Sequence, residues 1–381
     1  MAITEFYLDV ELGTGLNDGT SEANAWQSWA AAVTGWTTAG SRLNVKNPSS
    51  RYVVNATASF TSATAGVTPK TIRGYDTTIG DGVAAQFEDL TLQINVSGSG
   101  YRVECIDILN ADPASATNRL FYGSGLGSVT FFNCKGVRDG TNSNTTNNCF
   151  YASGGEIVNC YAEAMFSGTI TTANPLIQVI DGVVAYNVVK LKNTTGDWGT
   201  PAPVSGIGCS AGSEDGGVCH RNLVYIDPAI HYGHHTVGIV MSNKGSSGST
   251  STSAAGSHTC TYNTVVNFAY GIEWTDMGST TAANTCICCN NLIAGCPVSI
   301  LGRNDGNAQM PGCTCAVGNA YDGMIAGAFV PVLNRRFTVD PFTDSANEDF
   351  SLNSTIGGGL VARASALTAT GSTPDIGAIQ S

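Results

Sequence analysis

Carboxylates are the first residues in this sequence that could do chemistry. Glycoside-cleaving enzymes pair two of them, and one protonates the leaving oxygen while the other activates water or attacks. Acidic residues recur through the chain without forming a local motif of adjacent carboxylates, so no catalytic residue is predicted. Folding could still bring two distant acids together, and the candidates are Glu104, Asp107, Glu156, Glu163, Asp181, Glu214, Asp215, Asp227, Glu273 and Asp276.

Two tryptophans near acidic residues are candidates for binding a sugar, because an aromatic ring offers a large apolar surface. Trp274 stands between Glu273 and Asp276, and Trp198 lies in the segment 197–203. A ring at an edge or cap of the fold is the alternative reading of Trp274. We keep Trp198, Trp274, Glu273 and Asp276 as candidate binding residues.

The densest titratable cluster is His231-Tyr232-Gly233-His234-His235. Imidazole is a common metal ligand, but no acidic or cysteine partner stands at a fixed spacing in this segment. A metal site and an ordinary polar loop are the two alternatives. We predict no metal and no cofactor, and keep His231, His234 and His235 as candidate binding residues.

The sequence contains 13 cysteines, several of them in Cys286-Ile287-Cys288-Cys289 and Cys313-Thr314-Cys315. Zinc is one interpretation. On a strand, however, Cys-x-Cys places both thiols on one face, and Cys260 and Cys288 are 28 residues apart. We therefore predict a ladder of thiols that pack as small hydrophobic groups, mostly reduced.

An asparagine recurs in the middle of apolar, strand-forming stretches. The copies are Asn133, Asn159, Asn187, Asn222, Asn263, Asn291 and Asn319, with Glu104 in the same slot of an earlier copy. The last steps are 28 residues, which is typical of one coil of a parallel β-helix. Because asparagine tolerates a left-handed backbone, we predict that it holds a tight turn and stacks into a ladder.

Composition limits the class of protein. Only 12% of the residues are charged and Gly contributes 46, which suits strands and turns better than long helices. The net charge of −12 argues against a nucleic-acid partner. The sequence contains no run of 18 apolar residues, so we predict no membrane span. The first six residues lack the basic start and apolar core of a signal peptide.

The chain divides into three predicted regions. Residues 1–40 hold a strand and a helix over Ser21–Val33, which we expect to cap the open end of a solenoid. Residues 41–335 hold the coils, with flank insertions near 194–210 and 231–257. Residues 336–381 break the period and are predicted to form a closing coil and cap.

A family resemblance supports this organisation. The opening Tyr7-Leu8-Asp9, Asn17-Asp18-Gly19-Thr20 and Trp26, and the ending Asp340-Pro341-Phe342 and Asp375-Ile376-Gly377-Ala378, resemble right-handed parallel β-helix proteins of the pectate-lyase-like class. The resemblance spans nearly the whole chain. It implies an all-β, right-handed parallel β-helix solenoid, and it leaves activity open because the class includes lyases, hydrolases, tailspikes and non-catalytic virion proteins.

Three functions are compatible with these observations. The leading prediction is a non-enzymatic bacteriophage virion protein, a homotrimer that decorates the capsid or forms a spike, folds in the host cytoplasm and contacts the major capsid protein. The second is a polysaccharide-degrading enzyme or depolymerising tailspike. The third is a non-catalytic carbohydrate-binding surface module, located outside the cell, with cell-surface polysaccharide as its expected partner.

Overall fold

The computed structural model describes residues 3–50, 52–53, 57–61, 69–88, 93–98, 100–110, 119–139, 145–146, 148–166, 172–173, 175–193, 204–210, 216–227, 236–242, 257–276, 285–304, 315–326 and 330–359. These residues form an all-β parallel solenoid. Each coil places short strands on successive faces, and each strand pairs in parallel with its counterpart in the next coil. Neighbouring coils are therefore about 4.8 Å apart.

The first face begins with strand Glu5–Leu8, which pairs with Arg42–Lys46. It continues through Lys70–Tyr75, Tyr101–Glu104, the second halves of Arg119–Phe132, Asn148–Val158 and Ile177–Ala185, then Val218–His220, Ser257–Thr261, Thr285–Cys289, Cys315–Val317 and Val330–Val332.

The second face is a separate sheet of 11 strands. Its strands are Tyr52–Val53, Ala85–Glu88, Ile106–Asn110, Lys135–Asp139, Tyr161–Phe166, Val188–Asn193, Leu223–Ile226, Thr264–Val266, Leu292–Ala294, Ala320–Tyr321 and Arg335–Arg336.

The third face joins the first through the three long strands. Its members are Ala58–Phe60, Ile94–Val96, the first halves of those long strands, Val204–Ser210, Thr236–Ser242, Tyr270–Asp276, Val298–Asn304 and Met324–Ala326. Outside the three faces, Thr145–Thr146 pairs in parallel with Thr172–Ala173.

In most coils two residues connect the first face to the second, and the first of the two is left-handed. The residues with φ between 51° and 64° at this turn are Cys105, Asn133, Asn159, Tyr186, Arg221, Tyr262, Asn290, Gly318 and Leu333. The prediction that the recurrent asparagine takes this conformation is right for Asn133 and Asn159. It is wrong from Asn187 onward, where the asparagine is the next residue, and wrong for Glu104, which pairs with Phe132 one position before the turn.

The predicted ladder exists at that next position, inside the solenoid. The side-chain amide of Asn187 donates to Asn222 Oδ1 at 2.9 Å, and the same contact repeats from Asn222 to Asn263 and from Asn263 to Asn291. It continues through Asn319 to Asn334 at 3.0 and 2.9 Å. These contacts hold successive coils in one register.

The hydrophobic core follows the inward positions of all three faces. Phe121, Phe131 and Phe150 pack their rings together, and Phe121 stacks on Phe150 with centroids 4.6 Å apart. The predicted thiol ladder is confirmed, because Cys219 pairs with Cys260 and Cys260 with Cys288, all fully buried and unpaired by disulfides.

The N-terminal helix is shorter and begins later than predicted. A 3-10 helix spans Glu22–Asn24 and an α-helix spans Trp29–Gly35, and the Ser28 hydroxyl caps the α-helix. Trp26 is excluded from it because its backbone bonds to Tyr7 and Asp9 beside the first strand. Trp29 is buried against Phe60 and Phe87. Its role in capping the solenoid stays a prediction.

The C-terminal segment lies on the outer side of the second face. Strands Phe342–Asp344 and Asp349–Leu352 form an antiparallel pair, joined by a 3-10 helix over Ser345–Asn347. Phe342 and Phe350 pack with Tyr225, Val266 and Leu292 in a second buried cluster. Glu348 receives hydrogen bonds from Lys190 and from the Tyr225 hydroxyl. A C-terminal cap over residues 336–381 is not established by these contacts.

We predict that Asn222→Ala lowers the free energy of unfolding by about 3 kcal/mol. It leaves the buried backbone N–H and side-chain amide of Asn187 without their shared acceptor, and each unmet group costs about 1–3 kcal/mol. Urea unfolding measures the loss. Asn159→Gly is the control, because Asn159 is exposed and glycine tolerates its left-handed backbone. Equal losses for both variants would contradict the ladder's role.

We also predict that stability falls as the pH drops below 6.5. His258 is fully buried, and burial lowers its pKa from 6.5 to about 4 while its Nδ1 accepts from Gly217. Between these values the unfolded chain binds a proton that the folded chain does not, so about 3 kcal/mol is lost. Urea unfolding between pH 7 and pH 4 measures this dependence. In His258→Gln the free energy of unfolding should fall much less steeply with decreasing pH than in the wild type. In His220→Gln, at a half-buried histidine, it should fall as steeply as in the wild type.

Candidate functional site

The left-handed turns create a column of outward-facing side chains beside the internal ladder. We define the turn column as the left-handed residues, one per coil, that run from Cys105 through Asn133, Asn159, Tyr186 and Arg221 to Tyr262. Two positions further, the first outward residues of the second face form a parallel column of Asp107, Lys135, Tyr161 and Val188. Tyr186 is 48% exposed although a bulky residue rarely adopts positive φ.

A groove of about 400 Å³ lies between these columns. Its polar lining includes Asn133, Asn159, Asp107 and Lys135, and its aromatic lining is Tyr161 and Tyr186. Gly82, Ala84, Cys134, Cys160 and Val188 complete the lining. We call this surface the turn groove. Its volume lies in the range of small-ligand sites.

The polar residues of the turn groove are held by contacts with one another. The Asn159 amide donates to Asn133 Oδ1 at 3.3 Å, and the Asn133 amide donates to Cys105 Sγ at 3.3 Å. The Lys135 ammonium lies 5.0 Å from the centre of the Tyr161 ring. The groove thus presents amides, one cation and aromatic surface in a fixed arrangement.

The hydroxyl of Tyr161 is committed to a network on the second face. It donates to Glu163 Oε2 at 2.5 Å, and Lys192 pairs with Glu163 Oε1 at 2.5 Å. Burial and the Glu163 carboxylate raise the pKa of Tyr161, so a tyrosinate base is disfavoured here. Burial opposes ionisation of Glu163, but the hydrogen bonds from Lys192 and Tyr161 outweigh it and lower its pKa. Tyr161 can therefore bind a ligand more readily than it can abstract a proton.

The turn column continues beyond the groove as an aromatic and cationic stack. The Arg221 guanidinium lies 5.7 Å from the Tyr186 ring centre and 5.5 Å from that of Tyr262. The His220 ring meets Tyr186 edge to face at 5.2 Å. These contacts support the orientation of the Tyr186 ring at the end of the groove.

A second concave region lies near the C-terminal end of the described chain. Asp322 and Asp340 both line two cavities, of about 370 and about 240 Å³. Asp322 Oδ2 accepts from Gly295 N at 2.6 Å, whereas its buried Oδ1 has no hydrogen-bond partner. Burial raises the pKa of Asp322 despite its backbone hydrogen bonds. We call this region the Asp322 cleft.

The structure corrects one candidate binding residue and leaves others untested. Trp274 is 1% exposed and lies in the core between Met241 and Gly302, so its ring offers no sugar platform. Glu273 points to the opposite side of the same strand and is 4% exposed. Trp198, His231, His234, His235 and the Asp276 side chain lie outside the described residues.

Two of the predicted candidate acids are engaged in ion pairs with basic side chains. Glu104 is held by Arg73 and Arg102, and Glu163 by Lys192. Among the described residues, no group of three or more His, Cys, Asp or Glu side chains could hold a metal, and no helix there is long and apolar enough to cross a membrane.

Sequence reasoning missed Tyr186 and the Asp322 cleft. Tyr186 directly precedes Asn187, and a one-residue shift in the alignment of the repeats would have placed it in the left-handed slot. Asp322 and Asp340 come from different coils, and nothing in their local sequence indicates that they share a cavity.

Comparison with solved structures identifies the fold. The pectate lyase Pel9A matches with a TM-score of 0.55 and 14% identity, covering 100% of this chain and 97% of that one. The fold is that of the pectate-lyase-like parallel β-helices. A PL6 family polysaccharide lyase from Pseudopedobacter saltans matches with a TM-score of 0.30 and 10% identity, over 86% of this chain and 96% of that one. No family model and no curated protein matches the chain.

Proposed function

We propose that this protein binds a polysaccharide along the turn groove. The observation that carries the proposal is the alignment of exposed side chains at the spacing of the coils, ending at the half-exposed ring of Tyr186. A polymer with regularly repeated units would meet one side chain of each column in every coil. One solved structure with the same fold is a pectate lyase, which is compatible with a saccharide ligand.

The side chains of the turn groove match the chemistry of a sugar. The amides of Asn133 and Asn159 can both donate to and accept from hydroxyl groups, and Asp107 and Lys135 add an acceptor and a donor. The ring of Tyr186 can cover the apolar C–H face of a pyranose. Such sites combine apolar surface with a few fixed polar groups that set orientation.

Binding fits the turn groove better than cleavage there. Asp107 is the one carboxylate among the described residues that line it, whereas glycoside hydrolysis uses two. The raised pKa of Tyr161 also disfavours a tyrosinate as the base for an elimination. The groove therefore acts as a recognition surface.

We predict that Tyr186→Ala weakens polysaccharide binding about 5- to 30-fold, through loss of about 1–2 kcal/mol of ring contact. Met324→Ala is the control, because Met324 is a large apolar residue, 55% exposed on the third face and away from the groove. Affinity gel electrophoresis in polygalacturonate, xylan and soluble starch measures retention. The proposal would be contradicted if the gels retained both variants equally, or if no gel retained the wild-type protein.

A second candidate function is hydrolysis of a glycosidic bond in the Asp322 cleft. It is supported by the two carboxylates that share its cavities. In this reaction Asp322 would protonate the glycosidic oxygen while Asp340 removes a proton from water. The water oxygen would bond to the anomeric carbon as the glycosidic C–O bond breaks. The raised pKa of Asp322 suits it to the role of acid.

If this second function holds, Asp322→Asn and Asp340→Asn each lower the release of reducing ends about 100-fold or more. Activity should also fall as the pH rises through the pKa of Asp322, because the acid must be protonated. Asp344→Asn is the control, since this exposed carboxylate lines neither cavity. Wild-type rates in Asp322→Asn, or no release by the wild type, would remove this candidate.

The virion location, the homotrimer and the major capsid protein as partner remain proposals from the sequence. Their support is the resemblance of the chain to a class that includes virion proteins. Light scattering coupled to size exclusion under reducing conditions tests the homotrimer, and a monomer would contradict it.

A further inference from the structure

We propose that the turn groove recognises the end of a polysaccharide chain rather than its interior. This inference rests on the proposed function and adds the part of the polymer that is bound. It follows from a difference between the two ends of the groove, of which one meets a wall and the other continues along the turn column.

The wall is the connection between strands Lys70–Tyr75 and Ala85–Glu88. The following coils pass from the first face to the second through one or two residues, whereas this coil uses residues 76–84. The flanking strands stay in register with the next coil, since Arg73 pairs with Glu104 and Ala85 with Ile106. The extra residues therefore lie outside the stack, and Gly82 and Ala84 line the groove.

The wall is fixed by its own hydrogen bonds. The carboxylate of Asp81 accepts from the backbone N–H groups of Asp76, Thr77 and Thr78 at 3.0–3.2 Å and from that of Val83 at 2.9 Å. Asn47 ties the base of the loop to the neighbouring coil through Asp76 Oδ1 at 3.3 Å. The shape of the closed end is thus present before a ligand binds.

The loop also packs tightly against the first left-handed turn. Ala85 N donates to Cys105 O at 3.0 Å, and a Cβ on Gly74 would lie 1.8 Å from the same oxygen. Only glycine fits at position 74, so the strand before the loop can approach the turn closely. This contact sets the wall directly against the start of the turn column.

The chemistry at the closed end suits a terminal sugar. A terminal residue carries a free hydroxyl where an internal residue carries a glycosidic bond. Asp107 and Lys135 lie on the two coils next to the wall and can accept from and donate to that hydroxyl. An internal residue at this position would require the chain to continue through residues 82–84.

The opposite end is covered on one side only. Beyond Val188, the C-terminal segment buries Leu223 on the second face. The left-handed residues Arg221 and Tyr262 beside it stay partly exposed. A chain whose end is seated at the wall can therefore run outward past Tyr186. The two ends of the groove therefore differ, and this difference gives the groove a direction.

The first test measures how much protein a polysaccharide binds at saturation before and after partial acid hydrolysis. Polygalacturonate, xylan and soluble starch are the probes. Recognition of ends predicts that protein bound per gram rises in proportion to the number of chain ends. A capacity that is unchanged by hydrolysis would overturn the inference while leaving the proposed function intact, whereas no binding to any probe would overturn both.

The second test fills the closed end. Ala84→Trp should abolish the gain in bound protein that hydrolysis produces, because the indole occupies the space of the terminal sugar. Val83→Trp is the matched control, since Val83 is exposed on the same loop and does not line the groove. Circular dichroism confirms that both variants fold. Unchanged end-dependent binding in Ala84→Trp would contradict the placement of the chain end at the wall.

Discussion

The buried asparagine ladder is the interaction on which the other features of this protein depend. The amide of Asn222 donates to Val184 O in the preceding coil and to Asn263 Oδ1 in the following one, and its own Oδ1 accepts from Asn187. One side chain therefore links three coils. Because every partner is buried, a slip of register would leave polar groups unsatisfied in the core, and this cost holds the stack in a single alignment.

The same turn builds the ladder inside and the candidate site outside. The left-handed residue turns its side chain away from the core, and the next residue turns inward to the ladder. Tyr186 and Asn187 are such a pair. The turn imposes positive φ on whichever residue occupies this position, since Arg221 and Tyr262 adopt it as Tyr186 does. Groove and core thus share one backbone geometry.

The period and the strand-forming composition were sufficient to predict a parallel solenoid with stacked asparagines. The exact role of each asparagine was not predictable, because asparagine suits both a left-handed turn, as at Asn133, and a buried hydrogen-bonding position, as at Asn187. Alternation along a strand has the same ambiguity. Trp274 and Glu273 face opposite sides of their strand, and only the packing of Trp274 within the core cluster shows that the tryptophan points inward.

The most direct test of the account is a nuclear magnetic resonance titration of the side-chain amides with the hydrolysed polysaccharide that binds best. The account predicts that the resonances of Asn133 and Asn159, which line the groove, shift on binding. Those of Asn222, Asn263 and Asn291 inside the ladder should stay in place. Shifts confined to residues of another surface, such as Asn267 in the Asp322 cleft, would contradict the assignment of the turn groove as the binding site.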